Sequence, residues 1–226
     1  MKKFYLFLLI SIVFIVTANA QTPLLKWAKT FNGKDASTDS TSVMKVYNHD
    51  KSIYIAGTSD AYGTGNDIVL IKRDYATGDT LWTRRYNGPA NSDDQAVDMA
   101  INQATGDVYI TGKSLGTGTG YDIVTLKYSP SGVLAWVKRW DNSTYHGNDI
   151  PKDIGIDNTG KIYVSAYTFD GNTGYPVYND DLLVLVYNSS GSLTNSRKED
   201  IGDYGFNDDL VEGAIVNNNG DIFIGG

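Results

Sequence analysis

Carboxylates dominate the side chains of this sequence that could take part in chemistry. Only Glu199 and Glu212 are glutamates, and all the other acidic residues are aspartates. Aspartates that stand at the start of apolar, strand-like segments are Asp94, Asp122, Asp149, Asp181 and Asp209. A row of such carboxylates together with backbone carbonyls could bind Ca²⁺, which takes about six to eight oxygen ligands.

The same aspartates have a second possible role. An aspartate at a strand start accepts hydrogen bonds from the amides of the preceding loop. No run in the chain resembles the Asp-x-Asp-x-Asp-Gly calcium loop. We therefore favour the capping role and expect no cofactor, with Ca²⁺ as the alternative.

Aromatic residues in two loops form a second candidate site. The segment 167–180, YTFDGNTGYPVYND, mixes aromatic rings with aspartate and asparagine, and the loop 142–149 carries a tyrosine and a histidine. The candidate ligand-binding residues are Tyr145, His146, Tyr167, Phe169, Asp170, Asn172, Tyr175, Tyr178 and Asn179. Rings that stack on sugar faces and carboxamides that bond hydroxyls suit carbohydrate. The alternative is an insertion whose rings pack on the sheet below it.

Sequence motifs for catalysis are weak. The chain has two histidines, His49 and His146, and no cysteine. His-Glu-x-x-His does not occur, and the Gly-x-Ser-x-Gly match at 112–116, GKSLG, continues a strand candidate and opens no helical pattern. His146 near Asp149 is a weak acid/base pair, so we assign no catalytic residue.

The first residues have the pattern of an export signal. Lys2 and Lys3 precede an apolar core from Phe4 to Val16, and residues 17–20 end in a small-x-small pattern. The core is shorter than the ~20 residues of a membrane-spanning helix. We expect a signal peptide over 1–20 and a mature protein that is secreted, periplasmic or on the bacterial cell surface. An uncleaved anchor is the alternative, and no other membrane span is expected.

The charge balance argues against nucleic acid as a partner. Loss of Lys2 and Lys3 with the signal changes the formal net charge from −7 to −9. Such a surface repels nucleic acid and anionic lipid. Because there is no cysteine, packing rather than disulfide bonds must stabilise the exported chain.

Internal repeats set the organisation that must position these residues. Trp27, Trp82 and Trp136 are separated by 55 and 54 residues, and the strings SIYIAGTS, DVYITGKS, KIYVSAYT and DIFIGG recur with nearly the same step. Each unit resolves into four short strand candidates, A to D, and strand D carries the tryptophan. Strand C is almost continuously apolar, as in DIVLIKR, which indicates a strand covered on both faces.

Four strands per unit and several units in tandem are typical of an all-β protein, a β-propeller of four-stranded antiparallel blades. A β-solenoid and a β-sandwich are the alternatives. We expect a partial β-propeller over 21–226. Its blade repeats lie near 32–86, 87–140, 141–199 and 200–226, and a lone outer strand occupies 24–31. This amounts to about three and a half blades, an incomplete ring that we expect to continue beyond residue 226.

Strand D places a tryptophan, a cation and an aromatic on one face, as in Trp136, Lys138 and Trp140. Two rings around a cation could form a ligand cage. We favour a structural role, in which Trp27, Trp82 and Trp136 seal the space between adjacent blades. The cation would then discourage another sheet from adding to the outer edge.

The segment 106–140, GDVYITGKSLGTGTGYDIVTLKYSPSGVLAWVKRW, resembles the SBBP-type β-propeller repeat of secreted bacterial proteins. The resemblance covers 24–226 and is weaker in the third unit. There Ala166 stands where glycine is expected and Asn195 where tryptophan is expected. It implies a propeller fold and an exported setting, and no particular chemistry.

The loops between strands B and C and between successive units are the long ones, and an antiparallel blade places both on one face. We expect the binding site on that face. The predicted function is an exported, non-catalytic binding or scaffold module for a glycan or an extracellular protein. The alternative is part of a secreted hydrolase or lyase whose catalytic residues lie in further blades.

Overall fold

The computed structural model describes residues 25–33, 38–169, 171, 180–199 and 212–225. Its strands are β1 (Asp39–Tyr47), β2 (Ser52–Ala61), β3 (Gly65–Asp74), β4 (Thr80–Tyr86), β5 (Asp94–Ile101), β6 (Val108–Leu115), β7 (Tyr121–Tyr128), β8 (Leu134–Trp140), β9 (Asp149–Ile156), β10 (Ile162–Phe169), β11 (Asp180–Tyr187), β12 (Leu193–Glu199), β13 (Gly213–Val216) and β14 (Ile222–Gly225). No helix occurs in these ranges, and hence none that could span a membrane. The all-β prediction is confirmed for this part of the chain, and the predicted signal peptide, 1–20, lies outside it.

The strands form antiparallel sheets in simple chain order. Sheet 1 comprises β1 to β4, sheet 2 β5 to β8 and sheet 3 β9 to β12, and each has four strands. Sheet 4 comprises β13 and β14 in the described residues. Each sheet therefore falls within one of the sequence repeats.

The sheets share one register. At the start of the first strand of each sheet, the Cα partners are Asp39 with Ser59, Asp94 with Ser114, and Asp149 with Thr168. A few residues later each first strand bulges at an unpaired residue, namely Ser42, Val97 and Lys152. A bulge increases local twist, so its recurrence gives the three sheets the same shape. We call the end of the sheets that holds Asp94, Ser114 and Asp122 the loop edge.

The core consists of the layers between successive sheets. In sheet 2, Val124 and Leu126 pack with side chains of sheet 1, whereas Ile123 and Tyr109 pack with side chains of sheet 3. Both faces of β7 are therefore covered, and this is why its sequence is apolar without alternation. The turns at the other end of the sheets, away from the loop edge, use glycine where the backbone is left-handed, as at Gly132, whose φ is 81°.

Successive sheets touch at their first strands, because β1 contacts β5, β5 contacts β9, and β9 contacts β13. They also touch at their last strands. The indole Nε1 of Trp136 donates to the carbonyl oxygen of Ser189, in the turn between β11 and β12, at 3.2 Å. The Nε of Arg84 donates to the carbonyl oxygen of Gly132, in the turn between β7 and β8, at 2.6 Å.

Residues 25–33 form no strand, although a lone outer strand was predicted at 24–31. No strand of the described residues lies beside them to complete a ladder. They nevertheless make the contact that a last strand makes with the following sheet. Trp27 Nε1 donates to the carbonyl oxygen of Tyr75 at 3.0 Å, and Lys29 pairs with Asp79 at 3.3 Å. The cations of this motif thus join neighbouring elements, instead of only discouraging edge contacts.

Candidate functional site

A repeated polar network closes the loop edge of sheets 1 to 3. The aspartate at the start of the third strand pairs with a basic residue of the fourth strand. The pairs are Asp67 with Arg85, Asp122 with Arg139, and Asp181 with Lys198. In sheet 1 the N–O distance is 3.1 Å, and in sheet 2 it is 2.6 Å. Burial raises the pKa of Asp67, and the hydrogen bond from Arg85 acts in the opposite direction.

The aspartate at the start of the first strand serves the loop that precedes it. Asp39 accepts the N–H of Gly33 at 2.7 Å, Asp94 that of Gly88, and Asp149 that of Asn142 at 2.9 Å. These are the amide contacts expected from a capping aspartate.

Among the predicted metal ligands, Asp122 and Asp149 come together, and the loop residue Asp141 joins them. One carboxylate oxygen of each lies within 4.8 Å of the others. Asp94 and Asp181 do not belong to this group, and Asp209 lies outside the described residues. The sequence offers no signal for Asp141, because it occupies an inter-sheet loop and no strand start.

Protein donors already contact this acidic cluster. Arg139 and Thr119 donate to Asp122 at 2.6 and 2.8 Å, Thr168 donates to Asp149 at 2.5 Å, and His146 Nδ1 lies 2.6 Å from Asp141. Burial, with the nearby Asp141 and Asp122 charges adding to it, raises the pKa of Asp149 to about 6. These hydrogen bonds make the acidic cluster a joint between sheets 2 and 3.

The predicted aromatic residues divide between described and undescribed parts of the chain. Tyr145 and Phe169 meet edge to face with ring centroids 6.3 Å apart, and Tyr167 lies beneath Lys152. The predicted residues outside the described ranges are Asp170, Asn172, Tyr175, Tyr178 and Asn179. His146 is exposed and pairs with Asp141 rather than with the predicted Asp149.

A cleft opens at the loop edge between sheets 2 and 3. Its volume is about 530 Å³. The residues that line it are Lys113, Gly120, Tyr121, Gly147, Asn148, Ile150, Tyr167, Phe169 and Asp180. We call it the aromatic cleft, because Tyr121 stands on the sheet 2 side while Tyr167 and Phe169 stand on the sheet 3 side. Sequence reasoning found these last two residues and missed Tyr121.

Asn148 ties the two walls of the aromatic cleft together. Its Oδ1 accepts the backbone N–H of Tyr121 at 3.0 Å, and its carbonyl oxygen accepts the N–H of Phe169 at 3.2 Å. Gly147 lets the Phe169 ring lie against the loop, since a Cβ there would come within 2.3 Å of the ring. One side-chain and one backbone hydrogen bond of Asn148 therefore fix the position of the two walls relative to each other.

The equivalent position between sheets 1 and 2 holds a groove of about 480 Å³ with different walls. The residues that line this polar groove are Thr38, Ser40, Thr58, Asp60, Gly65, Asn66, Asp93 and Gln95. Asp93 repeats the bridge of Asn148, because its Oδ1 accepts the N–H of Asn66 at 3.0 Å. The scaffold is thus shared, while Asn66 replaces Tyr121 and Thr58 replaces Lys113.

The predicted structural tryptophans lie between sheets. The Trp136 ring lies 5.8 Å from that of Tyr109 in sheet 2 and 6.3 Å from that of Tyr187 in sheet 3. Trp82 packs edge on against Tyr54 at 5.7 Å, with the Arg84 guanidinium over its ring. Neither indole lines the aromatic cleft.

No family model and no curated protein matches this chain. A solved structure of a DUF4221 family member from Bacteroides vulgatus is similar at 12% identity with a TM-score of 0.37. The match covers 83% of this chain and 57% of that protein.

Proposed function

We propose that this chain is part of an exported, non-catalytic β-propeller of the SBBP type, and that it binds a glycan in the aromatic cleft. An extracellular protein is the other ligand class that we proposed from the sequence, and the experiment below tests the glycan. The observation that carries the proposal is the contrast between two grooves that share one scaffold. The polar groove has no aromatic residue in its lining, whereas the aromatic cleft has Tyr121, Tyr167 and Phe169.

Three features support the propeller arrangement. Each described four-stranded sheet runs in chain order from first to last strand, as a propeller blade does. The chain of contacts from β1 to β5, β9 and β13 is what innermost strands around an axis make. The contacts of Trp136 and Arg84 with the next sheet link the outer strands in the same sequence.

The aromatic cleft has the composition of a carbohydrate site. Sugar rings present C–H faces that pack on aromatic rings, and hydroxyls that need fixed polar partners. Asn148 supplies a fixed carboxamide because its Oδ1 is held by the Tyr121 amide. Ile150 adds apolar surface at the position where the polar groove has Gln95.

Export is part of the proposal and rests on residues 1–20. A positive start, a 13-residue apolar core from Phe4 to Val16 and a small-x-small end support cleavage after Ala20. Mass spectrometry of the exported protein tests this directly. The expected N-terminal residue is Gln21, and a retained Met1 in the exported protein would overturn cleavage.

One observation favours the alternative of a hydrolase or lyase. Asp98 and Asp153 form a carboxyl pair on the first strands of sheets 2 and 3. Burial, reinforced by Asp153, raises the pKa of Asp98. Carboxyl pairs can act as acid and base in glycoside chemistry. However, Asp98 accepts the N–H of Ile154 at 3.2 Å, and Asp153 accepts that of Ala214 at 3.1 Å, so both join neighbouring strands and we prefer binding.

The experiment is a glycan array probed with the chain from residue 21 and with variants of both grooves. Tyr121→Asn installs the residue type of the polar groove, and Phe169→Ala removes the opposite wall. Gln95→Ala is the matched control in the polar groove. We expect at least tenfold weaker binding for the two cleft variants and unchanged binding for the control. Glycan binding that survives both cleft variants, or no glycan binding at all, would overturn the proposed site.

A further inference from the structure

Two lysines lie over tyrosine rings at the walls of the aromatic cleft. Lys113 Nζ lies 4.8 Å from the ring centroid of Tyr121, and Lys152 Nζ lies 5.3 Å from that of Tyr167. Neither lysine makes an ion pair with a carboxylate of the described ranges. Basic side chains that do make such pairs are Lys29, Lys72, Arg85, Lys127, Arg139, Arg197 and Lys198. Lys113, which lines the cleft, and Lys152, which lies beside its Tyr167 wall, thus keep positive charge available in a chain of net charge −7.

The polar groove has the opposite charge at the same place in the repeat. It is lined by Asp60 and Asp93 and by no basic residue. In the aromatic cleft, Asn148 takes the position of Asp93, and Lys113 takes that of Thr58. One carboxylate, Asp180, also lines the cleft. The replacements remove a negative charge and add a positive one at positions that the scaffold does not require to be charged.

Asn148 adds a donor of known orientation. Because its Oδ1 accepts the Tyr121 N–H at 3.0 Å, the Nδ2 group points away from that amide. The residue is exposed and lines the cleft. Its N–H bonds therefore suit an acceptor oxygen of a ligand that lies between the walls.

We propose that the aromatic cleft recognises an acidic sugar, a uronic-acid residue whose carboxylate binds the Lys113 ammonium. The sugar ring lies between Tyr121 and the Tyr167–Phe169 wall, and Asn148 Nδ2 donates to a ring substituent. This inference rests on the proposed glycan binding and adds the charge of the sugar. A cation partly shielded by aromatic walls favours a carboxylate more than a fully hydrated surface lysine does.

Oligogalacturonate, oligomannuronate and oligoglucuronate are the probes, each paired with its methyl ester. The ester keeps the sugar ring and removes the negative charge. Calorimetric titration compares the chain from residue 21 with Lys113→Gln, and Lys45→Gln is the control because Lys45 is exposed on β1 of sheet 1. We expect at least one acid to bind about tenfold more tightly than its ester. Lys113→Gln should abolish that difference between acid and ester, and Lys45→Gln should preserve it.

The outcomes separate this inference from the proposed function. Equal binding of acid and ester, or an acid preference that survives Lys113→Gln, would overturn the acidic-sugar inference and leave glycan binding intact. Binding of neutral array glycans without binding of any of the three acids would do the same. If the array shows no glycan binding of any kind, both the inference and the glycan proposal are wrong.

Discussion

The indole of Trp136 reaches from sheet 2 to the turn of sheet 3, where its Nε1 donates to the carbonyl oxygen of Ser189 at 3.2 Å. The same ring lies 6.3 Å from that of Tyr187, so one side chain joins two sheets by a hydrogen bond and by ring packing. Gly191 of that turn also faces the indole, which leaves no room for a Cβ. The tryptophan that recurs in the last strand of a sheet therefore recurs because it joins that sheet to the next.

Removal of this joint should destabilise the protein. We expect Trp136→Ala to lower the free energy of unfolding by about 3 kcal/mol. The ring is only half-buried, so this cost lies at the lower end of the range for replacing a large aromatic residue with alanine. Trp136→Phe keeps most of the packing and loses the bond to Ser189, so about 1 kcal/mol is expected. Urea denaturation measures both. An alanine variant with the midpoint of the parent chain would contradict the structural role.

The ion pair of Asp122 and Arg139 should be worth more than an exposed pair of similar geometry. The Asp122 side chain is 7% exposed, so Arg139→Met leaves a buried carboxylate without its cation. We expect a loss of about 3 kcal/mol. The matched control is Arg197→Met, whose partner Glu199 is 44% exposed and for which less than about 0.5 kcal/mol is expected. Equal losses of unfolding free energy for the two variants in denaturation experiments would refute a larger contribution of the buried pair.

Asp149 should make stability depend on pH. Burial raises its pKa in the folded state to about 6 from the ordinary 3.8 of an aspartate, so the folded state holds the proton more tightly than the unfolded chain. The stabilisation is fully present below about pH 4 and is lost as the pH rises through about 6. In Asp149→Asn, the new carboxamide can accept from Asn142 and donate to Thr168.

We therefore expect Asp149→Asn to match the parent chain near pH 4 and to exceed it by about 2 kcal/mol at pH 7.5. Denaturant unfolding at both pH values measures the difference. If the variant gains the same stability at both pH values, the raised pKa of Asp149 is not the cause of the gain. A loss at pH 7.5 would show that the ionised form is needed in the folded state.

Calcium should neither bind to the acidic cluster nor stabilise the protein. Arg139, Thr119, Thr168 and His146 contact its carboxylates, and Ca²⁺ would have to displace the guanidinium of Arg139. Calorimetric titration with calcium chloride should give no binding heat, and the melting temperature should stay constant. Stoichiometric heat that disappears in Asp141→Asn would instead assign a calcium site to this cluster.

The repeated parts of the structure could be predicted because the same residue pattern recurs at the same position in several repeats. The continuous apolar run around Val124 recurs near Leu70 and Leu185, and all three lie in covered third strands. The capping role of the aspartates could be anticipated for the same reason. Asp39 and Asp149 hold the same kind of loop amide in different sheets.

The site could be predicted only in part, because it depends on contacts between repeats. Tyr167 and Phe169 stand out in the sequence as aromatic residues of the segment 167–180, although the structure places both at the end of β10 and not in a loop. Lys113 and Tyr121 lie at strand ends that carry no motif in the sequence. They line the cleft only because sheet 3 packs beside sheet 2. Asn148 shows no motif, since its role comes from one backbone amide in the preceding sheet.

Hydrogen exchange with and without the tightest array glycan is the sharpest test of glycan binding in the aromatic cleft. We expect slower exchange for the backbone amides of Tyr121 and Phe169, which both donate to Asn148, and no change for that of Asn66 in the polar groove. Protection that appears around Asn66 instead, or that leaves Tyr121 and Phe169 unchanged while the glycan is bound, would contradict binding in the aromatic cleft.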